Sequence, residues 1–214
     1  MSSQSRVWLF DLDNTLHDAN PHIFPHINRS MREFIERHLG VTEAEATRIR
    51  QEYWARYGAT LTGLVRHHGT DPRQFLWETH QFANLSRMVV KHGALKDLLR
   101  HLPGRKIIFS NAPGHYTEAV LKILGIRRCF DSVWHVERLK FTPKPFTGAF
   151  RRLLSAEHLD PRRCIMVEDS ALNLKTAKRL GMKTVLISSA SRVPTYVDAR
   201  IESVLDLSRL GLSR

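Results

Sequence analysis

The sequence predicts an α/β fold: a doubly wound parallel sheet with an α-helical block inserted after its first strand. Three observations predict it. An apolar run, Val7–Phe10, stops at an acidic pair. About 75 residues then follow with helical periodicity and no convincing strand. Beyond residue 100, short apolar runs and amphipathic segments alternate, the signature of a parallel sheet covered on both faces.

In chain order, R-V-W-L-F (6–10) reads as a short buried strand. In the block that follows, Ile27, Met31, Phe34, Ile35 and Leu39 recur at helical spacing, with Gly40 as a stop. Thr42 can cap a second helix bearing Ala46, Ile49, Tyr53 and Tyr57; Asp71-Pro72 opens a further one, with proline at the favoured first position. Strands are expected at 106–111, 132–136, 164–169 and 183–188, separated by helices at 114–124, 146–157 and 171–180. The division this implies is a core of residues 1–16 and 89–214 with a helical unit of 17–88.

The chain has 214 residues, enough for one large domain or a core with a smaller insert. No apolar run approaches the ~18–20 residues that cross a bilayer, and the start, M-S-S-Q-S-R, lacks the apolar stretch of a secretory signal. With only two cysteines, Cys129 and Cys164, a cytoplasmic, reduced protein is the expectation, with no membrane partner. The net charge of +12 suits an anionic partner. Its basic residues are dispersed in short groups such as 66–68 and 161–163, which argues against nucleic acid and leaves a small anionic substrate or a basic surface tuned for solubility. Nothing in the sequence fixes an oligomeric state.

Three expected strands end in polar groups: Asp11 and Asp13, Ser110 and Asn111, Glu168 and Asp169. In a parallel sheet all these ends lie on one edge, where ligands bind. Two like charges ~5 Å apart repel by roughly 3 kcal/mol at an effective dielectric of about 20, so such a cluster calls for a cation or raised pKa values. Oxygen-only ligands suit magnesium (Mg2+), which takes one or two carboxylates plus substrate phosphate. Lys144, just ahead of Pro145 and an expected helix start, is placed to neutralise a phosphoryl oxygen and a carboxylate; Lys140 is its rival.

The segments D-L-D-N-T-L (11–16), F-S-N-A (109–112), K-P-F-T-G-A-F (144–150) and V-E-D-S-A-L-N (167–173) resemble the four ordered motifs of haloacid dehalogenase-type phosphatases. The resemblance implies a Rossmann-like core with a helical cap and a set of roles. Asp11 would be the nucleophile that forms an aspartyl-phosphate, and Asp13 the acid and base for the leaving alcohol and the attacking water. Ser110, helped by the Asn111 amide, would hold the phosphoryl group, and Lys144 would balance charge on Asp11 and phosphate. Asp11, Asp169, the main-chain carbonyl of Asp13 and Glu168 would hold magnesium, with Asn173 behind them. Asp13 sets the chain apart from the dehalogenase branch, whose halide leaves without protonation.

Residues 17–31 and 53–64 are similar to pyrimidine 5′-nucleotidases of that superfamily, which implies UMP and CMP as substrates. The core alone fits equally a phosphatase of a sugar phosphate or phosphoglycolate, or a phosphomutase. A receiver-like signalling module phosphorylated on aspartate shares the acidic pocket, but the long insert and Asp13 argue against it. Tyr53, Trp54 and Tyr57 could stack on a base, against a simple packing role in the cap. The histidines show no ligand spacing, Cys164 fits a small core position, and Arg66 fits the surface.

Overall fold

The computed structural model describes residues 6–210; the polar stretch 1–5 and residues 211–214 lie outside the described residues. The elements are β1 (Val7–Phe10), α1 (Ile23–Leu39), α2 (Glu43–Tyr57), α3 (Thr60–His68), α4 (Pro72–Thr79), α5 (Leu85–Met88), α6 (Leu95–His101), β2 (Arg105–Phe109), α7 (Gly114–Ile123), β3 (Ser132–Trp134), α8 (Thr147–Ala156), β4 (Cys164–Glu168), α9 (Ala171–Arg179), β5 (Lys183–Ile187) and β6 (Ala199–Ile201).

All six strands pair in parallel, in the order β3-β2-β1-β4-β5-β6. The chain winds outward from β1 through β2 and β3, then resumes at β4 on the other side of β1. The strand order therefore reverses between β1 and β4, the position at which doubly wound sheets open a crevice. Alternation along each strand sends side chains to two apolar layers. Trp8, Phe10, Ile108, Ile165 and Val167 face one, with Tyr116, Val120 and Leu121 of α7 and Leu95 and Leu99 of α6. Val7, Leu9, Ile107, Phe109, Cys164 and Met166 face the other, with Phe150 and Leu153 of α8 and Leu174 and Ala177 of α9. Covering on both sides is why these strands read as unbroken apolar runs.

The inserted helices have a core of their own. Phe34 and Ile35 of α1, Ala46 and Ile49 of α2, Leu64 of α3 and Phe75 of α4 pack together, joined by Val136 from the loop after β3. The expected stop and caps form as their chemistry dictates. Gly40 takes a left-handed φ of 65°, the Thr42 hydroxyl accepts from Glu45 N at 3.4 Å, and Asp71 accepts from Arg73 N at 2.8 Å.

Helix α3 and the short α5 and α6 were not separable in the sequence, because their apolar positions fill less than three turns each. Strand β6 is three residues long and only one, Ile201, is buried, too short for a period to register. Helix α8 begins at Thr147 rather than at Pro145, so Pro145 lies ahead of the helix and does not set its first turn. Among the described residues, no helix is long and apolar enough to cross a membrane.

Candidate active site

Three strand ends and one loop converge at the switch point. Asp11 follows β1 and anchors to its neighbour by donating its main-chain N–H to Val167 O at 3.0 Å. Glu168 ends β4, and Asp169 follows it. Oxygens of Asp11, Glu168 and Asp169 lie within 4.8 Å of one another, and these three form the group among the described residues that could hold a metal ion. Lys144 reaches in from the loop before α8. Its Nζ donates to Asp11 Oδ1 at 2.6 Å and to Glu168 Oε2 at 2.7 Å, with the lysine side chain 1% exposed. The rival Lys140 is exposed to solvent.

Burial dominates the electrostatics. Loss of hydration, then the charge of Glu168, pushes Asp11 up to about 7, although Lys144 pulls the other way. Loss of hydration likewise raises Glu168 to about 7 and lifts Asp169. For Lys144, burial alone would lower the pKa; the adjoining Asp11 and Glu168 carboxylates outweigh it and hold the ammonium charged. Three carboxylates against one ammonium leave surplus negative charge in a dry site. A hard divalent cation with oxygen ligands answers that surplus, so this donor set fits magnesium.

Asn111 does not wait for a ligand with its side chain. Its Nδ2 donates to Lys144 O at 2.9 Å and its Oδ1 accepts from Lys144 N at 2.8 Å. This reciprocal clamp, rather than a helix terminus, positions the lysine. Ser110 is buried after β2, and its Oγ accepts from Ala112 N at 3.0 Å, turning the hydroxyl toward the same crevice.

The Asp13 carboxylate stands apart from the three clustered acids. Its Oδ1 accepts from the Tyr116 hydroxyl at 2.5 Å and contacts His17 Nε2 at 2.9 Å. Burial, and then the nearby Asp13 charge, keep the Tyr116 phenol protonated. Asn14 turns the chain between them with φ 59°, a left-handed conformation that asparagine tolerates. Asn173 is buried on α9.

A cavity of about 570 Å³ runs from Asp11, Asp13, Ser110 and Asn111 to the inserted helices. Phe24, Ile27, Asn28 and Met31 line it from one face of α1, at successive helical spacings; Arg50, Gln51 and Trp54 line it from α2. Thr60, Leu76, His80 and Phe141 are among the other residues that line it. Burial draws the pKa of His80 down to about 4, so its ring is neutral at pH 7.

Of the aromatic trio, only Trp54 lines the cavity. Tyr53 instead packs against the core of the helical unit, over Gly63 of α3, with its hydroxyl bonded to His68, while Tyr57 bonds His67 with the Arg66 guanidinium 5.8 Å from its ring. Sequence reasoning missed Tyr116, Asn28, Arg50 and His80. Tyr116 carries no motif. Arg50 left only a faint trace: it sits four residues after buried Ala46 and four before Trp54 on α2.

Residues 6–181 match the family model described as haloacid dehalogenase-like hydrolase. The chain is 25% identical over 195 residues to "Phosphate metabolism protein 8" of Saccharomyces cerevisiae, covering 85% of this chain and 61% of that protein. It is 31% identical over 121 residues to "(DL)-glycerol-3-phosphatase 1, mitochondrial" of Arabidopsis thaliana, 51% of this chain and 40% of that one. The chain thus spans between two fifths and about three fifths of these relatives' lengths. Among solved structures, a HAD phosphatase from Thermococcus onnurineus superposes with TM-score 0.68 at 21% identity, covering 95% of this chain and 96% of that one; this likeness concerns the fold.

Proposed function

This chain belongs to the haloacid dehalogenase-like hydrolases, and from that premise we propose that it is a magnesium-dependent phosphomonoesterase working through an aspartyl-phosphate on Asp11. The observation that carries this reading is the buried Lys144, which bridges Asp11 and Glu168 at the switch point beside Asp169.

Asp11 Oδ attacks phosphorus, and the ester bond to the leaving oxygen breaks as Asp13 gives that oxygen a proton. Asp13 then takes a proton from water, which attacks the aspartyl-phosphate and frees phosphate and the Asp11 carboxylate. Tyr116 and His17 both engage Oδ1 of Asp13, which fixes the carboxyl and leaves Oδ2 for these transfers. Lys144 holds Asp11 in line and balances phosphoryl charge, Asn111 holds Lys144, and Ser110 donates to a phosphoryl oxygen. Asp11, Asp169, Glu168 and the Asp13 carbonyl would hold magnesium; when bound, it supplies charge stabilisation for the transferring group. Proton transfer alone is worth roughly 10²–10⁴-fold, while phosphate monoesters can demand up to ~10²¹-fold. Positioned charge must therefore contribute most of the acceleration.

We assign residues 17–88 as the cap and 1–16 with 89–214 as the core. For the substrate we favour a pyrimidine nucleoside monophosphate, UMP or CMP. Support comes from the similarity of the cap segments to such enzymes and from a cavity walled by Phe24, Ile27, Met31, Trp54 and Phe141, which suits a flat ring better than a polyol. The Arabidopsis relative's name makes a small polyol phosphate the competing reading. A cytoplasmic setting accords with two free cysteines, Cys129 and Cys164; burial raises the Cys164 thiol to about 12, consistent with an inert core residue.

The test is phosphate release from UMP, CMP, AMP and glycerol 3-phosphate, with and without magnesium. The expected result is magnesium-dependent release, fastest from UMP or CMP, and abolished by Asp11→Asn. Ordinary turnover in Asp11→Asn would refute the nucleophile; equal rates on purine and pyrimidine nucleotides would remove the narrower substrate.

A further inference from the structure

We propose that Arg50, held by Asn28, is a specificity residue that reads hydrogen-bond acceptors on the base of the substrate, at the cavity end remote from Asp11. The inference rests on the nucleotide reading above and adds the group that selects within it.

Three observations lead there. Arg50 is the cationic side chain among those lining the cavity. The residue is partly buried, and burial lowers its pKa without an opposing carboxylate. Several other cap arginines hold carboxylates: Arg48, two residues earlier on the outer face of α2, holds Glu45 and Glu52; Arg32 holds Glu36 and Glu43; Arg37 holds Glu78. Arg56 and Arg66 lie over the Tyr57 ring and Arg73 over Phe141, so what sets Arg50 apart is its place on the cavity wall. Among the described residues, no carboxylate pairs with Arg50. Its hydrogen bond goes from Nη1 to Asn28 Oδ1 at 3.0 Å, with both side chains on the cavity wall.

A guanidinium carries five donors in a planar fork. Arg50 is only partly withdrawn from water, so the donors that Asn28 does not engage stay available to a ligand in the cavity that it lines. The Asn28 contact ties one arm of the fork to α1. Between this fork and the phosphate-binding edge the walls are mostly apolar, with Gln51, Thr60 and His80 among them, so a ligand that satisfies both ends has a phosphate, a flat weakly polar body, and acceptor atoms at its far side. A pyrimidine base offers such acceptors on its ring edge. A second phosphate on a sugar would satisfy the fork but leave its hydroxyls against Phe24, Met31 and Trp54.

The experiment uses pairs of esters that share the ribose 5-phosphate arm. kcat/KM is measured for UMP and ribose 5-phosphate, with fructose 1,6-bisphosphate as the anionic comparison, in the wild type, Arg50→Met and Arg50→Lys. A charge-assisted hydrogen bond predicts that the UMP to ribose 5-phosphate ratio falls about 10- to 100-fold in Arg50→Met, with partial recovery in Arg50→Lys, which keeps charge but loses the fork. In parallel, calorimetric titration of UMP and ribose 5-phosphate into Asp11→Asn and Asp11→Asn/Arg50→Met should show the same loss of preference without turnover.

An unchanged ratio, or equal losses on both esters, would overturn the proposal. So would a selective loss on the bisphosphate, which would make Arg50 an anion reader, or no preference for UMP by Asp11→Asn. Failure of the phosphatase reading has a different appearance: UMP binds through Arg50 but no phosphate is released. Thermal melts of each variant, with Asn28→Ala as a second route to disarm the fork, separate misfolding from lost recognition.

Discussion

The two ends of the cavity are built on opposite rules. At the sheet edge, charges are buried and interlocked: Lys144 bonds two carboxylates, Asn111 clamps the lysine backbone, and Tyr116 and His17 fix Asp13. At the cap end the walls are mostly apolar, Trp54 is 65% exposed, and Arg50 has one amide for a partner. The first arrangement keeps its geometry whatever substrate arrives. The second leaves its strongest donors open. Chemistry that must not vary is placed where the fold over-determines it, and selection where a few side chains can change without unfolding the sheet.

The hardest way to break this contrast is at Lys144. Substituting methionine leaves Asp11 and Glu168 buried side by side without their counter-charge, a loss that usually costs about 3–5 kcal/mol. The melting temperature of Lys144→Met is expected to fall by roughly 10 °C, and kcat by at least about 10²-fold. Adding Glu168→Gln removes one of the stranded carboxylates and should recover much of the melting temperature while leaving kcat low. A Lys144→Met protein that melts within about 2 °C of the wild type would mean that the edge is less interlocked than its hydrogen bonds indicate.

The edge was legible in sequence for the same reason that it is rigid. Asp11, Ser110 and Glu168 each close a buried strand, so the apolar run that predicts the strand also locates the acid or hydroxyl. Lys144 was legible through its neighbourhood, but for a different reason than the one that holds it: the Asn111 clamp spans 33 residues, and no local pattern records such a contact. Tyr116 lies 103 residues from Asp13 and was invisible for the same reason. In the cap, helical spacing identified faces without saying which face meets the core and which meets the cavity. Tyr53 shares a stripe with buried Ala46 and Ile49 and packs on the same cluster, while Trp54 one position along turns to the cavity.

A second test sharpens the contrast through pH. Asp11 and Glu168 both titrate near 7 in the folded chain, above their ordinary values of 3.8 and 4.5. Folded-state pKa values raised in this way mean that the native state holds protons that the unfolded chain releases. The associated stability is fully present below about pH 4 and is lost as pH rises through 7. In a metal chelator, the melting temperature is therefore expected to drop between pH 5 and pH 8. Magnesium should restore it, and restore more at pH 8, where both carboxylates are ionised and the cation has most charge to neutralise. A flat profile in chelator, or an equal magnesium effect at pH 5 and pH 8, would contradict the coupling of these acids to the metal.

The smallest effect is expected at Trp54. Its ring lies largely in solvent on the cavity rim, so Trp54→Ala should change stability by no more than about 0.5 kcal/mol. If the ring stacks on the base, the contact is made equally with bound substrate and with the transition state, and its loss raises KM without lowering kcat. Stacking at an exposed position sits at the low end of the range of about 1–3 kcal/mol, which corresponds to a KM for UMP raised roughly fivefold. The KM for ribose 5-phosphate, which has no base, should not follow it. A fall in kcat instead would mean that Trp54 acts on the closure of the cap over the sheet edge, and the separation between the two ends of the cavity would be weaker than their construction implies.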